Sequence, residues 1–321
     1  MSFFSILLAL ILEQARPLKE NNPVYQAVQA WTGWVARTLD AGVQHLAWVT
    51  WGMATLTPAA LALLVHALAD LGIGWLAAVL WNVALLYVTL GFRQFSHHFT
   101  DIRDALDEGD EQKARELLAM WQQVQVGEIP RSEIVRHVIE FSVIAAHRHV
   151  FGVFFWYAVL SIVGLGPVGA VVYRLAEYVQ RRWQREQQSD VGVSAVLAQV
   201  ADRAWRTLDW LPARATALGF AIVGSFEDAM DGWRNHAQKF PQDNDGVILA
   251  ATAGAINVRL GGSGLSVPRD TQAHEMAASS SSTPGQPAQL GHLASVVGLV
   301  WRTAIVWLVL VALLTMANLM G

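Results

Sequence analysis

The sequence predicts an all-α, polytopic integral membrane protein with four to five membrane-crossing helices and helical regions outside the membrane. Three observations carry the prediction. Of 321 residues, 54% are hydrophobic and only 15% charged, whereas soluble domains carry about 25% charged residues. The deficit is concentrated: residues 71–92 hold no charged side chain at all, and about 20 apolar residues suffice to cross the hydrocarbon core. Many of the 14 Trp residues lie near the ends of apolar runs, at the depth where aromatic belts meet the lipid headgroups.

Taken in order, residues 3–12 are apolar but too short to span. They lack a basic leader and a small-residue cleavage site, so they read as an interfacial or re-entrant helix rather than a signal peptide. Between Asp40 and Asp70 the only titratable side chains are His45 and His66, giving a first span over 46–68. Asp70-Leu-Gly-Ile-Gly74 makes a turn into the second span, 71–92. Residues 93–148 are polar and helical in pattern. Gly109-Asp110 reads as a break and an N-cap, and Ala114, Leu117, Leu118 and Trp121 form an apolar stripe. A third charge-free run, 150–173, contains Gly164-Leu-Gly-Pro-Val-Gly169, a helix break that a membrane tolerates only where protein or water satisfies the backbone. Residues 174–209 are polar and begin with Arg174, Arg181, Arg182 and Arg185. A weaker fourth crossing, 210–226, holds Pro212 and Arg214. Residues 246–256 are short enough to be a buried core helix instead. The Ser/Pro/Gly-rich stretch from Ala277 to Pro287 reads as a linker to a fifth span, 303–320. The divisions expected are thus 1–92, 93–148, 149–226, 227–291 and 292–321.

Absent cysteine removes disulfides, thiolate nucleophiles and Cys-based metal sites. A net charge of −4 argues against nucleic acid as a partner. The partners expected are membrane lipid, a small anionic ligand or corrinoid, and a membrane or envelope protein. The Arg174–Arg185 cluster argues for a cytoplasmic end by the positive-inside rule, but residues 93–148 are also rich in basic side chains and leave the orientation open; the expected location is a bacterial inner membrane, multi-pass.

Candidate chemistry gathers at the membrane edges. His97 and His98 each share a helical face with Asp101, a pattern that suits a metal or phosphate site or an ordinary interfacial helix start. His137 and Glu140, three residues apart, suit a bridge or a ligand. His147-Arg148-His149 either anchors a span at the headgroups or joins a site, since ionisable groups near a membrane default to function. Arg214 opens an apolar stretch and needs a partner. Asp209 is near in sequence, or Arg214 takes a phosphate or carboxylate bidentately. Arg259-Leu-Gly-Gly262 could present backbone amides to an anion, though it is neither a P-loop nor a dinucleotide fingerprint.

In this order, Asp104-Ala-Leu, Gly109-Asp110, Ala114-Arg115, Phe154-Phe-Trp156, Gly166-Pro, Tyr173-Arg174, Leu211-Pro-Ala-Arg214 and Val258-Arg-Leu-Gly-Gly262 give the chain a resemblance to the superfamily joining AmpE to the CobD/CbiB membrane enzymes. The resemblance implies, for the enzymes, an amide-forming step in cobalamin synthesis that joins adenosylcobyric acid to an aminopropanol or its phosphate. It also implies a carboxylate set suited to Mg²⁺ or to activating an amine. Here that set is altered. Glu177 and Gln180 follow Tyr-Arg where Asn and Asp are expected, and Trp205-Arg206 stands where an acidic pair is expected. Arg16-Pro17 and Asn22-Pro-Val24 stand for longer N-terminal elements. The Leu-Asp-Trp-Leu-Pro form and the isolated final helix look like AmpE. The expectation is therefore a non-catalytic AmpE-like sensor or scaffold in the envelope and β-lactam response, binding its ligand through His97, His98, Asp101, Glu140, His147, Arg214 and Arg259. The rival is an adenosylcobinamide-phosphate synthase, under which Mg²⁺ and a corrinoid substrate enter; no cofactor is expected otherwise. Transport is disfavoured because no internal repeat is visible.

Overall fold

A computed structural model describes residues 2–16, 22–122, 127, 129–189, 192–262 and 282–320. These are helical apart from turns and two isolated β-bridges. The helices are α1 (Ser2–Ala15), α2 (Pro23–Leu39), α3 (Gln44–Gly72), α4 (Trp75–Thr89), α5 (Phe92–Asp107), α6 (Glu111–Gln122), α7 (Arg131–Ala146), α8 (Gly152–Ser161), α9 (Gly166–Gln188), α10 (Ala195–Val223), α11 (Phe226–His236), α12 (Asp243–Ala255) and α13 (Leu290–Met320). A single π turn, His147–Phe151, joins α7 to α8. Such turns recur at functional positions.

Among the described residues, three helices are long and apolar enough to cross a membrane: Gln44–Gly72, Arg131–Ser161 and Leu290–Ala317. Phe3–Ala15 and Trp75–Thr89 are shorter apolar helices. On α3, Leu56, Leu61, Leu64 and Leu68 are each at least half exposed, which in a membrane makes them a lipid-facing surface rather than a stability defect.

Several boundaries move from those expected. The run at 71–92 yields the 15-residue helix α4, about 22 Å long. The third crossing begins at Arg131 rather than 150, because α7 buries its charges by pairing them. The break expected within the run 150–173 does occur: Gly164 adopts φ +77°, a conformation other residues avoid, and α9 starts at Gly166. The stretch 210–226 is the second half of one long helix, α10, with Pro212 inside it. The last helix starts at Leu290, not 303. As expected of a core helix, α12 is almost wholly buried. Within the stretch read as a linker, 277–281 lie outside the described residues, as does Pro17. Thr283, in contrast, is buried and exchanges hydrogen bonds with Leu260, so this part is docked, not free.

The chain divides into two compact units, each drawn from separated stretches. The first comprises Met1–Phe92, Arg148–Pro212 and Leu310–Gly321. Here α9 packs on α3, α4 and α8, and α1 packs on α4 and α8. One core cluster unites Val35, Ala36, Ala47, Ala54, Val179, Trp183, Leu197, Val200 and Ala201. Its alanines let helix backbones approach closely, as membrane packing requires. Two prolines interrupt helices here, and each leaves the carbonyl four residues earlier without its usual N–H donor. Both carbonyls find an indole. Trp31 Nε1 donates to Ala54 O at 3.2 Å, four residues before Pro58, and Trp156 Nε1 donates to Leu208 O at 3.1 Å, four before Pro212. Asp40 accepts from both Ser194 N and Ser194 Oγ at 2.7 Å, and Ser194 Oγ accepts in turn from Leu197 N, so the start of α10 is fixed.

The second unit comprises Arg93–His147 and Ala213–Val309. Asp110 caps α6 by accepting from Lys113 N, and Arg131 donates to Leu106 O near the end of α5 at 2.7 Å. α6 packs on α7, and α12 packs on α7 and α11.

Candidate functional site

Two charged clusters stand out, one in each unit. In the first unit, the stripe Tyr173, Glu177, Gln180 and Gln184 lies on one face of α9 at helical spacing. Glu177 is 1% exposed. It accepts from Arg174 Nη1 at 2.9 Å and faces Arg181 Nε at 3.4 Å. Burial alone would raise its pKa. Arg181 and Arg174 outweigh burial and bring it from 4.5 down to about 2. Tyr173, fully buried, donates to Asp209 Oδ1 on α10 at 2.8 Å. Burial first, then the Asp209 carboxylate, pushes the phenol well above its ordinary range, so it stays a donor. The Tyr173 ring lies 5.1 Å from Trp205, over which Arg148 places its guanidinium at 5.8 Å. Below this, Gln180 and Gln184 both donate to Asp202 Oδ1, at 3.4 and 3.1 Å, and Arg206 pairs with the same carboxylate. Gly152 admits Tyr173: a Cβ there would collide with the phenol's Cζ and oxygen.

In the second unit, Arg136 on α7 bridges Glu133 at 2.6 Å and Glu140 at 2.9 Å. His137 lies 3.6 Å from the second Glu140 oxygen. Glu140 Oε1 also accepts from Gly261 N at 2.7 Å. The Arg259-Leu-Gly-Gly262 turn that supplies this N–H is shaped by positive φ at Asn257, Gly261 and Gly262. It is held by Arg259 N to Gln286 O at 2.8 Å and Leu260 N to Thr283 Oγ1 at 2.9 Å. The turn thus does present a backbone amide to an anion, and that anion is Glu140.

The residues singled out from the sequence separate into groups. His137, Glu140 and the 259–262 turn come together, while the Arg259 side chain itself is exposed. His97 and Asp101 form a pair at 3.2 Å that is 69% and 41% exposed, a solvated surface interaction of small energetic weight. His98 stacks on Trp121, which meets Phe141 edge-on at 4.6 Å. His98 therefore helps pack α5 and α6 onto α7. His147 is no headgroup anchor: it is fully buried and hydrogen-bonded to Thr216 Oγ1 at 2.9 Å. Asp209 takes Tyr173 as a partner, and Arg214 donates to Asn244 Oδ1 at 3.1 Å. Arg136, Tyr173, Arg174, Glu177 and Asp202 are not among the candidates the sequence offers, and Arg148 enters there only with its flanking histidines. The signal was present in the spacing of Arg174, Glu177 and Arg181, which places a carboxylate between two guanidiniums on one helix face.

The Mg²⁺ implied by the resemblance finds no matching donor set. Glu177 and Glu140 are both committed to arginine, and Asp209 accepts from Tyr173. Among the described residues no three His, Asp or Glu side chains converge as ligands. These residues do not fit a resident divalent cation.

Against known proteins, a family model described as "CobD/Cbib protein" matches residues 6–300. A protein of Chromobacterium violaceum named "Cobalamin biosynthesis protein CobD" is 34% identical over 187 residues, covering 58% of this chain and 57% of that one. The match thus spans little more than half that relative's length. A protein of the same name from Stutzerimonas stutzeri is 29% identical over 258 residues, covering 80% and 78%. One from Leptospira interrogans is 26% identical over 195 residues, covering 59% and 58%. No solved structure matches. These relatives overturn the expectation of an AmpE-like sensor or scaffold for the envelope and β-lactam response. They carry the name of a biosynthetic protein, and the final helix and Leu-Asp-Trp-Leu-Pro form on which nearness to AmpE rested do not outweigh a family match over nearly the whole chain.

Proposed function

We propose, from the premise that this chain belongs to the CobD/CbiB protein family, that it is a multi-pass inner-membrane enzyme of cobalamin biosynthesis. Its reaction is the amide-forming step between adenosylcobyric acid and an aminopropanol or its phosphate. The observation that carries the assignment to a site is the excess of guanidinium in the first unit. Arg148, Arg174 and Arg181 all lie close enough to Glu177 to lower its pKa, and Asp209 is the neighbouring second carboxylate. A half-buried surplus of fixed positive charge suits an anionic substrate group such as a phosphate. Three carboxylates lie in this cluster, Glu177, Asp202 and Asp209.

Chemically, the amine must lose a proton and attack the corrinoid carboxyl carbon. A C–N bond forms and an oxygen leaves. A carboxylate oxygen is a poor leaving group, so the step needs a phosphoryl donor that first converts it to an acyl phosphate, and phosphate then departs. In this reading Arg148, Arg174 and Arg181 hold the phosphate of the amine substrate. Asp209, oriented by Tyr173, receives the amine's proton. Glu140 fixes the 259–262 turn in the second unit. The positive cluster at Arg174–Arg185 supports a cytoplasmic position for that end of α9.

The test is direct turnover. Purified chain in lipid nanodiscs is given adenosylcobyric acid, aminopropanol phosphate and a nucleoside triphosphate, and the corrinoid product is weighed by mass spectrometry. The proposal expects the mass of the condensed amide. Folded protein that leaves adenosylcobyric acid unchanged under these conditions overturns it.

A further inference from the structure

The imidazole of His149 goes unused by the proposed chemistry. His149 lies in the π turn between α7 and α8, where the widened turn changes the direction of the side chains it carries. Its Nδ1 atom is buried and makes no hydrogen bond among the described residues. An imidazole nitrogen is always either a donor or an acceptor. Buried polar atoms are nearly all paired, so one that is not calls for a physical reason.

The surroundings of His149 follow from the packing of α8 on α9. The two helices run antiparallel through the break at Gly164, and two glycines give their register. A Cβ on Gly169 would meet Trp156 O, and a Cβ on Gly152 would meet the Tyr173 ring. Four residues back on α8 therefore match four residues forward on α9. One more such step sets Arg148 opposite Glu177, and the widened π turn brings His149 to the same level. The electrostatics agree, since His149 lies within reach of Arg148, Arg174, Glu177 and Arg181. In this cluster the three guanidiniums face two carboxylates, Glu177 and Asp209, which leaves one positive charge. A phosphate monoester carries about −1.5 to −2 at neutral pH, and an ammonium on the same molecule offsets one of those charges. An aminoalkyl phosphate thus brings roughly the one negative charge that balances the cluster. A neutral Nδ1–H adds a donor for it without disturbing that balance.

We propose that His149 is a ligand of the amine substrate's phosphate, donating from Nδ1–H to an oxygen beside those held by Arg148, Arg174 and Arg181. The inference rests on the assignment of this cluster to aminopropanol phosphate, and it adds a residue that distinguishes the phosphorylated amine from the free one. Dissociation constants for aminopropanol phosphate and for aminopropanol are measured by titration calorimetry on the full chain in a maltoside detergent. His149→Asn keeps an N–H donor near the Nδ1 position, whereas His149→Gln moves it toward the Nε2 position. Aminopropanol phosphate should bind His149→Asn within about threefold of the parent chain, and His149→Gln and His149→Ala about tenfold more weakly, the loss of one hydrogen bond to a charged group. Aminopropanol should bind all four chains alike. Arg181→Gln, measured alongside, reports on the site assignment. Weakened binding in Arg181→Gln with His149→Ala and His149→Gln unchanged overturns the role of His149 and leaves the assignment standing. Unchanged binding in every variant, or no binding by the parent chain, overturns the assignment and the inference with it. Equal losses for both ligands across the His149 variants also overturn the inference, because the imidazole would then only pack or hold water. If His149→Ala does not fold, the contrast between His149→Asn and His149→Gln carries the test.

Discussion

Trp156 and Pro212 belong to two separate motifs of the sequence, Phe-Phe-Trp and Leu-Pro-Ala-Arg, and the structure gives them one shared purpose. Pro212 deprives Leu208 O of its helical donor, and Trp156 Nε1 supplies a replacement at 3.1 Å. Phenylalanine at 156 keeps the ring but removes the N–H. With Pro212 in place, the carbonyl is then left without that donor in an apolar setting, at a cost of about 1–3 kcal/mol. With Pro212→Ala, the new amide at 212 can satisfy Leu208 O, and Trp156→Phe should cost only its small packing change. The two substitutions should therefore couple by about 1–2 kcal/mol. The assay is a double-mutant cycle on chemical denaturation of the full chain in detergent, with single and double variants measured under identical conditions. Additive effects within a few tenths of a kcal/mol would refute the reasoning, since they would mean the indole is not replacing the proline's missing donor.

Other consequences can be checked in the same preparation. Glu177→Gln leaves Arg174 and Arg181 without their carboxylate. The drop in the Glu177 pKa from 4.5 to about 2 corresponds to roughly 3 kcal/mol at neutral pH. Because the folded pKa is depressed, that stability is fully present above about pH 4.5 and is lost as pH falls toward about 2, so denaturation midpoints measured across this range should fall in the parent and stay flatter in the variant. Gly152→Ala drives a methyl group into the Tyr173 phenol and should destabilise by about 1–3 kcal/mol. Removing the hydroxyl by Tyr173→Phe in the same background would not restore it, because ring carbons are also in contact. Arg181→Gln, at a 40% exposed side chain, should raise KM for aminopropanol phosphate several-fold while leaving KM for unphosphorylated aminopropanol nearly unchanged; equal effects on both substrates would remove Arg181 from phosphate binding. Glu140→Gln keeps a hydrogen-bond acceptor for Gly261 N but loses the charge facing Arg136, so it should cost stability of the order of 1–3 kcal/mol, read as a lowered melting temperature.

Much of the fold could be read in advance because its causes are local. The charge-free runs announce apolar helices, and the Gly164–Gly169 break falls where glycine permits positive φ. Boundaries were harder where charges hide in pairs. Arg136 looked like part of a water-facing region, yet Glu133 and Glu140 neutralise it at i−3 and i+4, and the helix runs on into the apolar layer. The first-unit cluster was missed for a related reason. Arg174 and Arg181 read as an orientation signal although their spacing around Glu177 already carries the ion pairs, and only folding shows that Asp209, 36 residues beyond Tyr173, accepts a hydrogen bond from its hydroxyl. The motifs of the superfamily were visible as strings. Why Trp156 accompanies Pro212, or Glu140 the Arg-Leu-Gly-Gly turn, depends on contacts between helices that spacing alone does not encode.

The central claim, that this chain forms the cobinamide amide bond, meets its most direct test in a bacterial strain lacking its own membrane enzyme for that step. The chain is expressed there, its insertion in the membrane is verified, and growth that depends on cobalamin is scored with cobyric acid or with cobinamide supplied. The account predicts growth on both, and loss of growth on cobyric acid alone when Asp209→Asn is expressed at the same level. Growth restricted to cobinamide, with the unaltered chain correctly inserted, would contradict it.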